Sequence, residues 1–306
     1  MTVGVRARRD DDQRALIAVS IAVFTWGFGP LCVRGINASA GAIVFWRFLI
    51  AQPVMITAAY LTGGRLSWPL LKRTALPGLL FAGSLAASFI SYQKTSIVNA
   101  SLIGALQPAL LLFVAPFIFG TKSSSRQVGF AVLAFGGMAA VVIGAGRTSG
   151  ASFGGDLWAV ANLVLWTVYF VMVKRIRDDG VDATSLVASV FFMAGVFAIP
   201  VTLLTSHDVG SVGVKGIGLV VCMAVGPGLV GHGLMTWSQK HLDIRLASLF
   251  GLASPVVSTI GAWLIYSQDL RLVQVLGGAL VLAGLAGIVW DHRTSARLVE
   301  LELEPA

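Results

Sequence analysis

The chain has 306 residues, 56% of them hydrophobic and only 12% charged, with a mean hydropathy of +0.84 and a net charge of +8. Soluble domains carry about 25% charged residues, so this composition excludes a soluble enzyme, and in a membrane protein a basic excess reports orientation rather than a nucleic-acid partner. The connections between apolar runs are too short to hold a separate catalytic domain.

The leader MTVGVRARRDDDQR precedes an apolar run over 16–34 that continues through TWGFGPLCVRG, and it reads as a first span rather than a cleaved signal. Runs long enough to cross a ~30 Å hydrocarbon core, roughly 17 to 25 residues, follow at about 41–61, 76–93, 98–119, 127–144, 157–174, 184–204, 216–237, 245–266 and 272–290. The expected fold is therefore an all-α membrane protein with ten transmembrane helices. With the N-terminus inside, sixteen of the 22 lysines and arginines fall in inner segments, five in outer ones and Arg47 within a span. That bias places both termini in the cytoplasm. Cys32 and Cys222 lie in apolar runs, where a thiol behaves as a small hydrophobe, so neither a disulfide nor a metal site is expected.

The stretch QKTSIVNASLIGALQP at 93–108 has a near relative in QKHLDIRLASLFGLASP at 239–255. A shift of 147 positions aligns Pro53 with Pro200, Ser101 with Ser248, Pro108 with Pro255, Gln127 with Gln274 and Gly137 with Gly284, and a shift of 140 aligns Trp26 with Trp166 and Arg34 with Lys174. The chain thus reads as a cytoplasmic tail (1–15), a first five-helix repeat (16–144), a linker (145–155), a second repeat (156–290) and a second tail (291–306). An odd number of spans per copy inverts the second copy relative to the first. Inverted repeats meeting at the midplane are the physical basis of alternating access.

Within each copy a proline interrupts a span, Pro108 in the fourth and Pro255 in the ninth, with Pro227 in the eighth. Proline frees backbone polar groups that lipid cannot satisfy, so such places face protein or water; a packed kink is the other reading. Gln107 and its counterpart Ser254 stand directly before the repeated prolines. Trp26 and Trp166 occupy matching mid-span positions, with Tyr169 near Trp166, and either pack or line a cavity. His232 is a helix-to-helix hydrogen-bond donor, a substrate contact or a proton acceptor. Arg47, about two turns into the second span, either snorkels to the outer interface or meets an internal partner or an anionic substrate. Asp156 at a span end fits a helix cap or a partner for the helix dipole. Trp46, Trp68, Trp158 and Trp290 suit an interfacial belt. Gly136, Ala140 and Gly144 in the fifth span, and Ala279, Ala283 and Gly287 in the tenth, make small-residue stripes that serve packing within the monomer or a homodimer contact. GPGLVG spells GxGxxG, but no strand precedes it, so no dinucleotide site is expected.

These stretches, together with FWRFLIA, SYQKTSIVNASLIGALQPALLLFVAPFIFG, GGDLWAVANLVLWTVYFVMVKRI and GHGLMTWSQKHLDIRLASLFGLASPVVSTIGAWLIY, resemble the EamA-type members of the drug/metabolite transporter superfamily over nearly the whole chain. The resemblance implies a plasma-membrane carrier of small metabolites, often an exporter, with a central cavity and no cofactor. Family members usually carry a glutamate after the fourth and ninth spans. Here FGTKSSSRQ has none and YSQDL offers only Asp269, which puts a coupling carboxylate in doubt. An importer or facilitator of the same solutes is the alternative. An intramembrane enzyme lacks its chemistry, since the chain has neither HExxH nor GxSxG.

Overall fold

The computed structural model describes residues 2–119, 124–145, 150–238, 241–242, 250–251, 253–268 and 270–303. Its regular elements among these are all helical: α1 (Thr2–Gly35), α2 (Ala40–Leu61), α3 (Trp68–Lys94), α4 (Ile97–Gly104), α5 (Gln107–Phe119), α6 (Ser125–Ala145), α7 (Phe153–Asp178), α8 (Ala183–Thr205), a 3-10 turn (Val209–Ser211), α9 (Val214–Met223), a π-helical stretch (Ala224–His232), α10 (Gly233–Ser238), α11 (Ala253–Tyr266) and α12 (Leu272–Leu303). Seven segments among the described residues are long and apolar enough to cross a bilayer, and three shorter apolar helices, Ser125–Val141, Ala253–Tyr266 and Leu272–Ile288, accompany them. The ten full-length spans expected are matched to that extent. The start of the expected ninth span, most of the second QK stretch and Asp269 lie outside the described residues.

Helix starts follow local chemistry. Ser39, Ser96, Ser152 and Asp182 cap α2, α4, α7 and α8 by accepting from backbone N–H groups three residues on. Ser124 and Gln127 form a reciprocal cap at the start of α6: the Ser124 amide donates to Gln127 Oε1 and the Gln127 amide to Ser124 Oγ, each at 3.1 Å. Gln274 accepts from the Arg271 amide at the start of α12 in the same way, at 3.1 Å. Two helices run past the expected span ends, α1 from Thr2 and α12 to Leu303. The segments read as tails therefore continue helices where they are described.

Not every proline breaks its helix. Pro30, Pro53, Pro77 and Pro200 sit inside continuous helices. At Pro108 the fourth span divides into α4 and α5, and at Pro227 the eighth widens into the π-helical stretch. Pro255 falls in the first turn of α11, where a missing N–H costs nothing within the helix.

Side chains tie the helix ends into two polar layers. At one end, Arg34 Nη1 donates to the Tyr92 and Gln93 carbonyls at 2.8 and 3.2 Å, Gln93 Nε2 to Ala38 O at 2.7 Å, Thr95 Oγ1 to Asp156 at 2.7 Å, and Ser39 to Asp208 through its amide and hydroxyl at 2.6 Å each. At the other end, Arg73 pairs with Asp179, the Arg65 amide donates to Ser185 Oγ at 2.7 Å, and Arg177 Nε donates to Thr236 O at 3.1 Å. Lys174 instead pairs with Asp178 on its own helix. Arg177, like Arg34, is thus a cation near the end of one helix holding a carbonyl near the end of another.

The same contacts fix relative directions. The start of α2 meets the loop after α8, and the loop after α2 meets the start of α8, so these two helices are antiparallel. α6 and α12 are antiparallel as well: a Cβ on Gly137 would stand 2.8 Å from Gly277 O, and one on Gly284 would stand 2.6 Å from Phe130 O. This close backbone approach uses the Phe130, Ala134 and Gly137 face of α6. The predicted stripe instead leaves Gly136, Ala140, Ala279 and Ala283 exposed, Gly287 alone turns inward against Phe130, and the side of Gly144 lies outside the described residues. Trp68, Trp158 and Trp290 are exposed as a belt requires, whereas Trp46 ties α2 to the 3-10 turn through Nε1 to Val209 O at 2.8 Å.

Candidate functional site

The four proline-bearing segments converge. A proline at position i has no N–H to give the carbonyl at i−4, and all four such pairs, Trp26/Pro30, Gly104/Pro108, Met223/Pro227 and Gly251/Pro255, line one cavity of about 190 Å³. That volume is below the ~300–1,000 Å³ usual for drug-sized ligands. Arg47, Ser84, Ser88, Tyr92, Ser101, Gln107, Asn162, Trp166, His232 and Ser254 complete the polar and aromatic wall. These residues gather around the middle of the bundle: Arg47 and Ser101 sit nearer the Arg34 end of their helices, His232 and Ser254 nearer the other. Arg47 is the eighth residue of α2, about 10 Å from its start, and Trp166 is about 20 Å into α7 at 1.5 Å per residue.

Of the residues singled out in the sequence, Trp26, Arg47, Gln107, Pro108, Trp166, His232, Ser254 and Pro255 all face this cavity. Tyr169 does not. It is buried and stacked on Phe81, with ring centroids 5.0 Å apart and planes at 24°, so it fills the layer behind Trp166. Trp26 and Trp166 meet edge to face at 5.5 Å. The Trp26 indole is held by donating to Pro227 O at 3.0 Å, a carbonyl in the π-helical stretch. His232, at the end of that stretch, is enclosed by Trp26, Phe81, Trp166 and Phe191 at ring separations of 5.0–5.7 Å. π-helical turns recur at functional sites because the extra residue per turn re-aims the side chains that follow.

Arg47 does not snorkel. It is 3% exposed, no carboxylate pairs with it among the described residues, and its Nη1 is enclosed without a hydrogen-bond partner. Its guanidinium lies 5.8 Å from the Phe191 ring centre and against Gly228, where a Cβ would stand 2.9 and 3.0 Å from Nη2 and Nη1. Only glycine leaves room for it there. Gln107 is also buried, and its Nε2 lacks a partner. Asp156 is not the cap of α7, since Ser152 takes that place; it sits in the first turn, where the helix dipole favours a negative charge, and accepts from Thr95 and Asn99. Asn99 Oδ1 accepts in turn from Gln274 Nε2 at 3.0 Å, which links α4, α7 and α12.

Sequence reasoning missed Ser84, Ser88, Tyr92, Ser101 and Asn162. Ser84, Ser88 and Tyr92 recur every four residues along one face of α3, and Asn162 stands one turn before Trp166; that periodicity was the available signal. Ser84 Oγ donates to Asn162 Oδ1 at 2.7 Å, and Ser258 Oγ to Ser101 Oγ at 2.8 Å.

Comparison with known proteins agrees with this architecture. The model of the EamA-like transporter family matches residues 13–143 and again 153–290. An uncharacterized transporter, YyaM of Bacillus subtilis, is 28% identical over 253 residues, covering 78% of this chain and 81% of the relative. The aromatic amino acid exporter YddG of Ancylobacter novellus is 30% identical over 169 residues, 53% of this chain and 56% of its own length. A crystal structure with 23% identity superposes with a TM-score of 0.67 over 92% of this chain and 98% of that one, a likeness of fold. The chain is a multi-pass membrane protein and not an enzyme: it belongs to the EamA-like transporter family, within the drug/metabolite transporter superfamily.

Proposed function

We propose that this protein is a secondary carrier that exports a small organic solute, such as an amino acid with an aromatic side chain, by alternating access across the plasma membrane. Its ten spans form two inverted five-helix repeats, 16–144 and 156–290, with both termini in the cytoplasm. The observation that carries this reading is a single cavity walled by matching positions of the two halves: Trp26 with Trp166, Gln107 with Ser254, Pro108 with Pro255. The antiparallel pairing of α2 with α8 and of α6 with α12 is what inverted copies require. Efflux is supported by the name of the YddG relative. The Arg34 end is the outer one by the distribution of lysine and arginine.

The test is counterflow. Purified protein in liposomes loaded with unlabelled L-phenylalanine is expected to accumulate labelled L-phenylalanine transiently, which a channel cannot do. Trp166→Ala and His232→Ala should lower the initial rate about tenfold or more, as loss of positioning contacts does, with protein still folded by size exclusion. Absence of counterflow for phenylalanine and every other neutral amino acid overturns the reading; unchanged rates in both variants move the pathway away from this cavity.

A further inference from the structure

The cavity wall carries an unbalanced positive charge. Its lining includes no aspartate or glutamate, and the ionisable side chains on it are Arg47, Tyr92 and His232. A cation removed from water is held at low cost only when it is paired. Yet no described residue forms an ion pair with Arg47, and its Nη1 is enclosed without a hydrogen-bond partner. It is positioned by shape instead, by the Phe191 ring on one side and the bare backbone of Gly228 on another. A second buried donor, Gln107 Nε2, is likewise unsatisfied and lines the same cavity from a different helix. Polar groups enclosed in this way mark the place of a missing acceptor.

We propose that Arg47 and Gln107 form a carboxylate-binding subsite, so that the solute is a carboxylate whose apolar body lies against Trp26, Phe89 and Trp166. A carboxylate offers two oxygens to the guanidinium fork and has lone pairs left for an amide donor. A solute carrying only a positive charge finds no counter-charge in the cavity and meets Arg47 instead. An α-ammonium group is accommodated only as part of a zwitterion, whose own carboxylate offsets its charge. The proposal rests on the carrier reading for the cavity's being the solute site, and adds which solutes it admits and which atoms select them.

Three probes of one shape separate the charges: L-phenylalanine (zwitterion), 3-phenylpropanoate (carboxylate alone) and phenethylamine (ammonium alone). Binding to purified full-length protein is read by tryptophan fluorescence and thermal stabilisation. The two carboxylates should bind wild-type protein at least about tenfold more tightly than phenethylamine, the scale of a charge-assisted pair. Arg47→Gln should weaken both carboxylates by about tenfold or more and abolish the discrimination. Arg47→Lys should retain part of it, and Gln107→Ala should weaken them several-fold. Gly228→Ala, which displaces the guanidinium without removing it, should lower the same ratio and serves if Arg47→Gln does not fold. Phenethylamine bound by wild type as tightly as the carboxylates, a ratio unchanged in these variants, or no binding of any probe would overturn the proposal. Counterflow of some other solute would then leave the carrier reading standing, and selective carboxylate binding without counterflow would overturn the carrier reading alone.

Discussion

Asp156 shows how one side chain joins three helices. Its carboxylate accepts from Thr95 Oγ1 and Asn99 Nδ2, and Asn99 is oriented by Gln274, so α7 is pinned to the α3–α4 turn and, through one further amide, to α12. Asp156→Asn puts an amide where two donors already point and leaves one of them unmatched. The expected loss is about 1–3 kcal/mol of stability, measurable as a lower melting temperature in detergent; unchanged melting would show that the network is not structural. Asp208 acts outside the membrane-spanning segments. Hydrogen bonds from the Ser39 hydroxyl and amide hold its carboxyl below the usual aspartate range. A carboxylate whose folded value is depressed contributes stability that is present above its unfolded value and is lost as pH falls through the folded one. Wild-type melting should therefore decline from about pH 4 downward more steeply than that of Asp208→Asn. Parallel curves would remove this contact from the acid response.

At the scale of elements, the π-helical stretch sets the register of the site. Pro227 cannot donate to Met223 O, the turn widens, Trp26 takes the Pro227 carbonyl, and Gly228 and His232 are aimed at Arg47 and the aromatic cage. Proline inside a helix costs about 3 kcal/mol, so Pro227→Ala should melt higher while transporting less. A variant that is both more stable and equally active would show that the widened turn is incidental. The long apolar helices, the paired tryptophans and the paired prolines were legible in the sequence because each follows from period, length or covalent chemistry. Which prolines break a helix was not, since Pro53, Pro77 and Pro200 differ from Pro108 only in what surrounds them. Charge and spacing align Arg34 with Lys174, whereas the cation of the second half that reaches a neighbouring helix's carbonyl is Arg177, three residues on, which no sequence pattern shows. Ser84, Ser88 and Asn162 were passed over because small polar residues also serve helix packing. The Asp156 network joins positions 95, 99, 156 and 274, which no local pattern connects.

At the scale of the whole molecule, two polar layers close the helix ends, and the cavity lies between them. Exchanging the conformations of the two halves would open the same cavity toward one layer and then the other, which is how a fixed site can serve two compartments without a continuous pore. That exchange requires matching loops of the halves to face opposite sides. The direct measurement places single cysteines at Ser67, between α2 and α3, and at Ser211, between α8 and α9, both exposed, in a Cys32→Ala, Cys222→Ala background. An impermeant maleimide applied to intact cells should label the cysteine at 211 and reach the one at 67 only after permeabilisation. Labelling of both from the same side would contradict the inverted arrangement and the transport mechanism with it.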